Sequence, residues 1–337
     1  MRQSAIALAV VIAFTSAPAP AADGSSELAT GGLLFVRDGN LELLSQDLMI
    51  SPDEIKIHYR MLNRSDKAVT VLVSFPMPEI SIEGPDDAPS IPTEDPVNLL
   101  GIAATVNDKP VAASFEQRVI AAGIDRTQLL RGLGIPLAPH LDSTQEALDR
   151  LSPDQLENLQ RLGLAEPEDY DAGSMTKHLA PRWTLQTTYY WEQSFPANSE
   201  TAIDLRYKPS VGRSEQTLLG SPNAEKEPWY DELNDKYCFN YEFLAAVERA
   251  RKAVNGKFGA PFSEQRIEYA HKNWVNAVGS PVREFRLVVD KRASGNLVSF
   301  CGGEPKKISE TQLEVTKNDY MPDETLSILF LNKPPQQ

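Results

Sequence analysis

Histidine and cysteine are scarce in this chain of 337 residues, which has four of the first and two of the second. Most familiar active-site chemistry is missing with them. The sequence contains no Gly-rich phosphate loop, no Gly-x-Ser-x-Gly elbow, no His-Glu-x-x-His pair and no spaced Cys/His metal set. No catalytic residue, metal ligand or cofactor is therefore expected. His58 falls on the polar face of a strand pattern, His140 follows Pro139 in a loop, and His178 and His271 lack a ligand-like neighbour at helical spacing. Each is expected to be a surface or hydrogen-bonding residue. Basic residues are also outnumbered, 33 against 47 acidic, for a net charge of −14. That balance argues against nucleic acid and against electrostatic docking on anionic lipid, apart from local patches such as Lys306 and Lys307. Beyond residue 14 no run is long and apolar enough to span a bilayer as a helix.

What is present begins with export. Arg2 precedes an apolar stretch from Ala5 to Phe14, and small residues and prolines follow to Ala22. A basic start, a short hydrophobic run and the Ala19-Pro20-Ala21 site predict a signal peptide over residues 1–21, cleaved before Ala22. The mature chain would carry 32 basic and 47 acidic residues, a charge of −15. In the periplasm or outside the cell, the isolated pair Cys238 and Cys301 is most simply one structural disulfide.

Strand patterns dominate the first two hundred residues. Ile55, Ile57, Tyr59 and Met61 alternate with Lys56, His58, Arg60 and Leu62, and Asn63 to Asp66 reads as a turn before Val69, Val71, Val73 and Phe75. This pattern predicts an antiparallel hairpin. The Asn63-x-Ser65 sequon is fully explained by turn chemistry. Residues 83–95, rich in proline and acids, predict an exposed loop. Between about 125 and 164 the period becomes helical, with capping boxes at Ser143/Glu146 and Ser152/Gln155 and Pro153 at a first helical position. Trp183, Leu185, Thr187, Tyr189 and Trp191 then share one face of a long strand, returned by a second strand to Tyr207 as an expected hairpin partner. Residues 213–235 read as a polar linker. A helix capped by Asn240, with a Glu248–Lys252 pair, opens the rest, and strands are expected at 284–289, 297–300, 312–315 and 326–331. The expected organisation is mainly β with helical insertions: an antiparallel β-sandwich over 22–214 with a helical insertion near 125–164, and a smaller α+β region over 215–337 holding the disulfide.

Several strings carry a family resemblance. They are Ser26-Glu27-Leu28 with Gly31-Gly32-Leu33, Gln46-Asp47-Leu48 with Ile50-Ser51, and Ser74-Phe75-Pro76-Met77-Pro78. Further on come Thr188 to Gln193 with Phe195-Pro196-Ala197, Tyr207 to Gly212, and Asn296 to Gly302. In this order the chain resembles an exported bacterial family catalogued as domain of unknown function family 4424. The resemblance implies a cell-envelope location and carries no functional residue with it. The first two hundred residues are also similar to the β-sandwich domains that precede adhesion modules in inter-alpha-trypsin inhibitor chains, where a strand likewise ends in Phe-Pro-x-Pro. That likeness implies a sandwich and no function.

Candidate sites are few. Glu166, Glu168, Asp169 and Asp171 before Gly173 could hold calcium, but they lack the closing glutamate of a full loop and read as a solvated acidic segment. Burial accounts for Trp183, Tyr189 and Trp191. Tyr190, on the other face, and Trp229 are the best platforms for a sugar ring. The sequence thus predicts a non-enzymatic exported, periplasmic β-sandwich protein that binds a protein partner, with an envelope protein or glycan as the candidate, or serves in envelope maintenance. The alternative is an envelope glycan-binding protein or a hydrolase using acids such as Asp47 or Glu192, and converging carboxylates in one pocket would discriminate the two.

Overall fold

The computed structural model describes residues 24–82, 84, 89–167, 179–254, 259–270, 281–321 and 325–334. The expected signal peptide lies outside them, as do His178, His271 and most of the acidic segment around Asp169 and Asp171. No helix among the described residues is long and apolar enough to cross a membrane.

The fold is mainly β with helical insertions. Its longer strands are β1 (Leu41–Ile50), β2 (Ile55–Asn63), β3 (Val69–Pro76), β4 (Ala103–Val106), β5 (Ser114–Ala121) and β6 (Thr184–Phe195). These are followed by β7 (Ser199–Tyr207), β8 (Ser263–Ala270), β9 (Val282–Asp290), β10 (Leu297–Phe300), β11 (Gln312–Tyr320) and β12 (Thr325–Asn332). The helices are α1 (Thr127–Gly132), α2 (Asp142–Asp149), α3 (Pro153–Arg161), α4 (Pro228–Tyr237) and α5 (Tyr241–Ala253).

Three sheets share the work. The largest has eight strands in the order Lys306–Lys307, β11, β9, β1, β2, β7, β4, Lys109–Pro110. All its pairs are antiparallel except β9 against β1. A five-stranded sheet runs Ile124–Asp125, β5, β6, β3, Leu34–Phe35. The period-2 alternation of β6 buries Trp183 just before it, then Leu185, Tyr189 and Trp191, and leaves Tyr190 half-buried on the other side. This inner face meets the large sheet through Phe75 against Tyr207, with ring centroids 5.0 Å apart, and Phe35 against Tyr59 at 6.3 Å. A third sheet has strands at Gly24–Ser25, Gly212–Ser214, β8, β12 and β10, and its Ile267, Tyr269, Ile328 and Phe330 join the same core.

Neither expected hairpin forms. β2 pairs with β1 and β7, whereas β3 pairs with β6 in the facing sheet. β6 and β7 likewise separate into the two sheets. Each turn is an arch that crosses the sandwich, so that its two strands face one another across the core instead of pairing. Asn63 joins the two arches. Its fully buried amide donates to Lys67 O and Phe195 O, both at 2.9 Å, and to Pro196 O at 3.1 Å. The side chain of the apparent sequon is thus committed to the fold.

Strands from both sides of residue 215 share sheets. β9 and β11 extend the large sheet beyond β1, and Val282, Phe285, Leu287 and Val289 belong to the same core as Leu33 and Tyr59. The segment expected as a polar linker contains α4, whose Tyr237 is buried with Phe243, Val247, Leu329 and Leu331. Pro228 at its first turn is compatible with helix, and its apolar positions are too few to stand out as a stripe. Cys238 ends α4 in the left-handed region at φ 51° and bonds Cys301 just after β10. The bridge spans 63 residues, and on the loop-entropy argument it contributes about 4 kcal/mol.

Two of the three expected helix caps form. Ser152 and Gln155 form the full reciprocal capping box of α3, and Asn240 Oδ1 accepts from Phe243 N at 2.8 Å. Ser143 caps nothing. α2 begins two residues earlier than that box requires, with Leu141 at its N-cap, and Thr144 instead donates to Ala138 O at 2.6 Å.

The N-terminal segment is clamped between the sheets. Tyr207 Oη donates to Gly31 O at 2.8 Å, and Leu33 N donates to Tyr59 Oη at 3.2 Å. Burial pushes the hydroxyls of Tyr59, Tyr207 and Tyr269 far above the usual phenol range, so all three are neutral donors and acceptors. Glu27, nearly buried, pairs with Arg266 at 3.2 Å and Lys236 at 3.4 Å, and Lys236 also reaches Glu268 at 2.7 Å. Burial opposes the charge on Lys236, and these acids more than reverse that effect.

Candidate functional site

The outer face of the large sheet carries a row of polar side chains that strand register alone assembles. Arg286 of β9 lies opposite Asp47 of β1, which lies opposite His58 of β2, then Asp204 of β7 and Thr105 of β4. Residues directly opposite across neighbouring strands share a face. The row therefore alternates basic and acidic groups across four strands and ends on the hydroxyl of Thr105. His58 Nδ1 is 2.7 Å from Asp204 Oδ1, and Arg286 is 3.9 Å from Asp47 and 2.8 Å from Glu314. A carboxylate only accepts, so Nδ1 donates to Asp204, and Nε2 has no hydrogen-bond partner among the described residues.

These residues line a recess of about 460 Å³. Lys56 and Arg206 edge it one row along, and Met49, Ala103 and Pro110 supply apolar wall. Its volume is within the range of small-molecule sites. With Asp47 and Asp204 set against Lys56, Arg206 and Arg286, the recess presents both signs of charge together with Nε2 of His58.

Asp47 was named as a candidate acid from sequence, and the recess places it one strand from His58 and two from Asp204. Glu192 is elsewhere. It lines another hollow, with Leu72 and Tyr190 of the five-stranded sheet and Asn107, Lys109 and Pro110 at the edge of the large one. Tyr190 and Trp229 are also apart. Tyr190 lies beside β5, while Trp229 packs against Tyr230 at a centroid distance of 6.0 Å next to the α4–α5 core. His58, Asp204, Arg206 and Arg286 were not singled out as a group by sequence reasoning. Their alternation on strand patterns was visible, but the parallel pairing of β9 with β1 joins segments more than two hundred residues apart.

Two further groups differ from expectation. Both ring nitrogens of His140 are shielded without a hydrogen-bond partner among the described residues, and burial lowers its pKa despite the opposing charge of Glu94. Glu166 is paired with Arg182 at 3.1 Å. No group of three or more His, Cys, Asp or Glu side chains able to hold a metal occurs among the described residues.

The family model for DUF4424, a domain of unknown function, matches residues 21–329. No curated protein matches the chain. Among matching solved structures is a candidate nutrient binding protein of Legionella pneumophila, 14% identical, with a TM-score of 0.44 over 91% of this chain and 72% of that one. A likeness at that score bears on neither fold nor ligand.

Proposed function

We propose that this chain, which belongs to the DUF4424 family, is an exported, non-enzymatic binding protein of the cell envelope that takes a small zwitterionic ligand on its large sheet. The observation that carries this reading is the cross-strand row Arg286, Asp47, His58 and Asp204 in one recess. Arg286 and Arg206 suit a carboxylate, while Asp47 suits an ammonium group. Both acids already have cross-strand partners, so they are placed to orient a ligand. The exported location is supported by the N-terminal pattern of residues 1–21 and by the Cys238–Cys301 bridge.

Thermal unfolding of the full chain with free amino acids and dipeptides tests the reading. A ligand at a hundred times its Kd should stabilise the fold by about 2.7 kcal/mol. Asp47→Asn and Arg286→Ala should abolish that gain without altering the ligand-free transition by more than about 0.5 kcal/mol, the range for exposed positions. If no zwitterion stabilises the protein, the reading fails. A hydrolase is the second reading, favoured by Asp47 and Asp204 entering one recess on either side of His58. Turnover of an envelope ester or glycoside that is lost in both Asp47→Asn and His58→Ala would establish it over the first.

A further inference from the structure

We infer that the hollow between the edge of β5 and the segment Asp125–Arg131 is a second binding site, built for a small acidic sugar. It shares no lining residue with the recess around His58 and does not rest on that reading. The hollow measures about 750 Å³ and is walled by Glu116, Arg118, Asp125, Arg126, Arg131 and Tyr190. Three guanidiniums against two carboxylates make it basic, in a chain whose acids outnumber its bases by fourteen.

The two acids are already engaged. Glu116 pairs with Arg118 at 2.6 Å, and Asp125 Oδ1 accepts from Thr127 N at 2.9 Å. Arg126 and Arg131 form no ion pair among the described residues, and Arg126 Nε is buried with no acceptor. With Nε shielded, the guanidinium groups that Arg126 and Arg131 present to the hollow have their terminal nitrogens to offer, and one carboxylate or phosphate group fits the planar fork of an arginine. Tyr190 adds the second half of the recognition. Its neighbours Tyr189 and Trp191 face the core, whereas its own ring points to the outer side and lines the hollow with the arginines. An aromatic face beside a cationic pair suits a pyranose ring that carries a single acidic group.

Isothermal titration of the full chain with glucuronate, glucose 1-phosphate, glucose and inorganic phosphate tests this. Both acidic sugars should bind, and glucose and phosphate should each bind about tenfold more weakly, since each offers only half of the contacts. Arg126→Met should weaken the acidic sugars about tenfold, the effect of losing one charge-assisted hydrogen-bonded contact. Arg131→Ala, at an exposed position, repeats the test where folding is not at stake. Tyr190→Ala should reduce the sugars to the level of phosphate, and His58→Ala should change nothing here. Failure of both acidic sugars to bind would overturn the proposal, as would glucose or phosphate binding equally well, or retained affinity in both arginine variants.

Discussion

Gly32→Ala should destabilise the protein through two phenols, and most of its penalty should vanish in a background that already lacks one of them. A methyl group at position 32 would lie 2.4 Å from Tyr59 Oη and 2.9 Å from Tyr269 Oη. Both rings are fully buried, so neither phenol can swing into solvent. Overpacking of this kind costs about 1–3 kcal/mol, and displacing Tyr59 Oη from Leu33 N leaves a buried amide unpaired for about 1–3 kcal/mol more. The expected penalty is about 3 kcal/mol. Tyr59→Phe alone should cost about 1–2 kcal/mol for the same amide. In that background the clash at 2.4 Å is gone and the ring carbon Cζ, at 3.7 Å, is an ordinary contact, so only the Tyr269 contact remains. Gly32→Ala should then cost about 1 kcal/mol, giving a coupling of about 2 kcal/mol between the sites. Urea unfolding followed by tryptophan fluorescence reads all four species, provided their m values agree. Equal penalties for Gly32→Ala in both backgrounds would refute the clamp.

Gly212→Ala should cost about 3 kcal/mol in urea midpoints, because its methyl group would occupy the position of Glu27 Oε2 and strip Arg266 of a nearly buried partner; a change under 0.5 kcal/mol would show Glu27 to be free to move. Cys301→Ser should lose about 4 kcal/mol. Because β9 and β1 pair within one sheet, far-ultraviolet circular dichroism and fluorescence should still report one coincident transition, and two separate transitions would contradict that coupling. His140, whose folded pKa is lowered by burial, takes up its proton more readily in the unfolded chain. Its contribution is fully present above about pH 6.5 and is lost as the pH falls toward the depressed folded pKa. His140→Phe should therefore show a smaller drop in urea midpoint between pH 7.5 and 5.5 than the parent, and an equal drop would exclude His140 as the source.

Strand existence was legible wherever one face is buried. β6 announces itself because Leu185, Thr187, Tyr189 and Trp191 alternate with polar neighbours, and β12 because Leu326 to Leu331 is an apolar run. Strand pairing was not legible. A turn such as Asn63–Asp66 has the same composition in a hairpin and in a sandwich arch, and the difference lies in the hydrogen bonds that Asn63 makes to Phe195 O and Pro196 O. The same limit hid the site. Asp47 could be named as an acid, but its neighbours Arg286, His58 and Asp204 come from three other strands. Tyr190 was found because its face follows from β6 alone, and Arg126 was missed because nothing in Asp125-Arg126-Thr127 shows that its Nε will be shielded.

The strings that carry the family resemblance are mostly parts of the seam between sheets. Glu27 meets Arg266 against Gly212, Gly31 and Gly32 lie against Tyr207, Tyr59 and Tyr269, and Leu28 N donates to Ser210 Oγ at 2.8 Å. Phe75-Pro76-Met77 ends β3 where Met77 N bonds Thr187 O at 2.8 Å, and Ser299 Oγ ties β10 to Tyr237 O at 2.9 Å. Each is a contact that ties one element of the fold to another, so these strings are explained by folding before any ligand is invoked. Beside Glu192, which lines the hollow next to Leu72, two residues within them face outward into the recesses proposed as sites, Asp47 and Tyr190. Neither is needed to close the sandwich, since Asp47 sits on the outer face of β1 and Tyr190 on the outer face of β6. A fold requirement accounts for their neighbours Leu48 and Tyr189, which are buried. It does not account for these two, and ligand contact is the physical role their positions leave open.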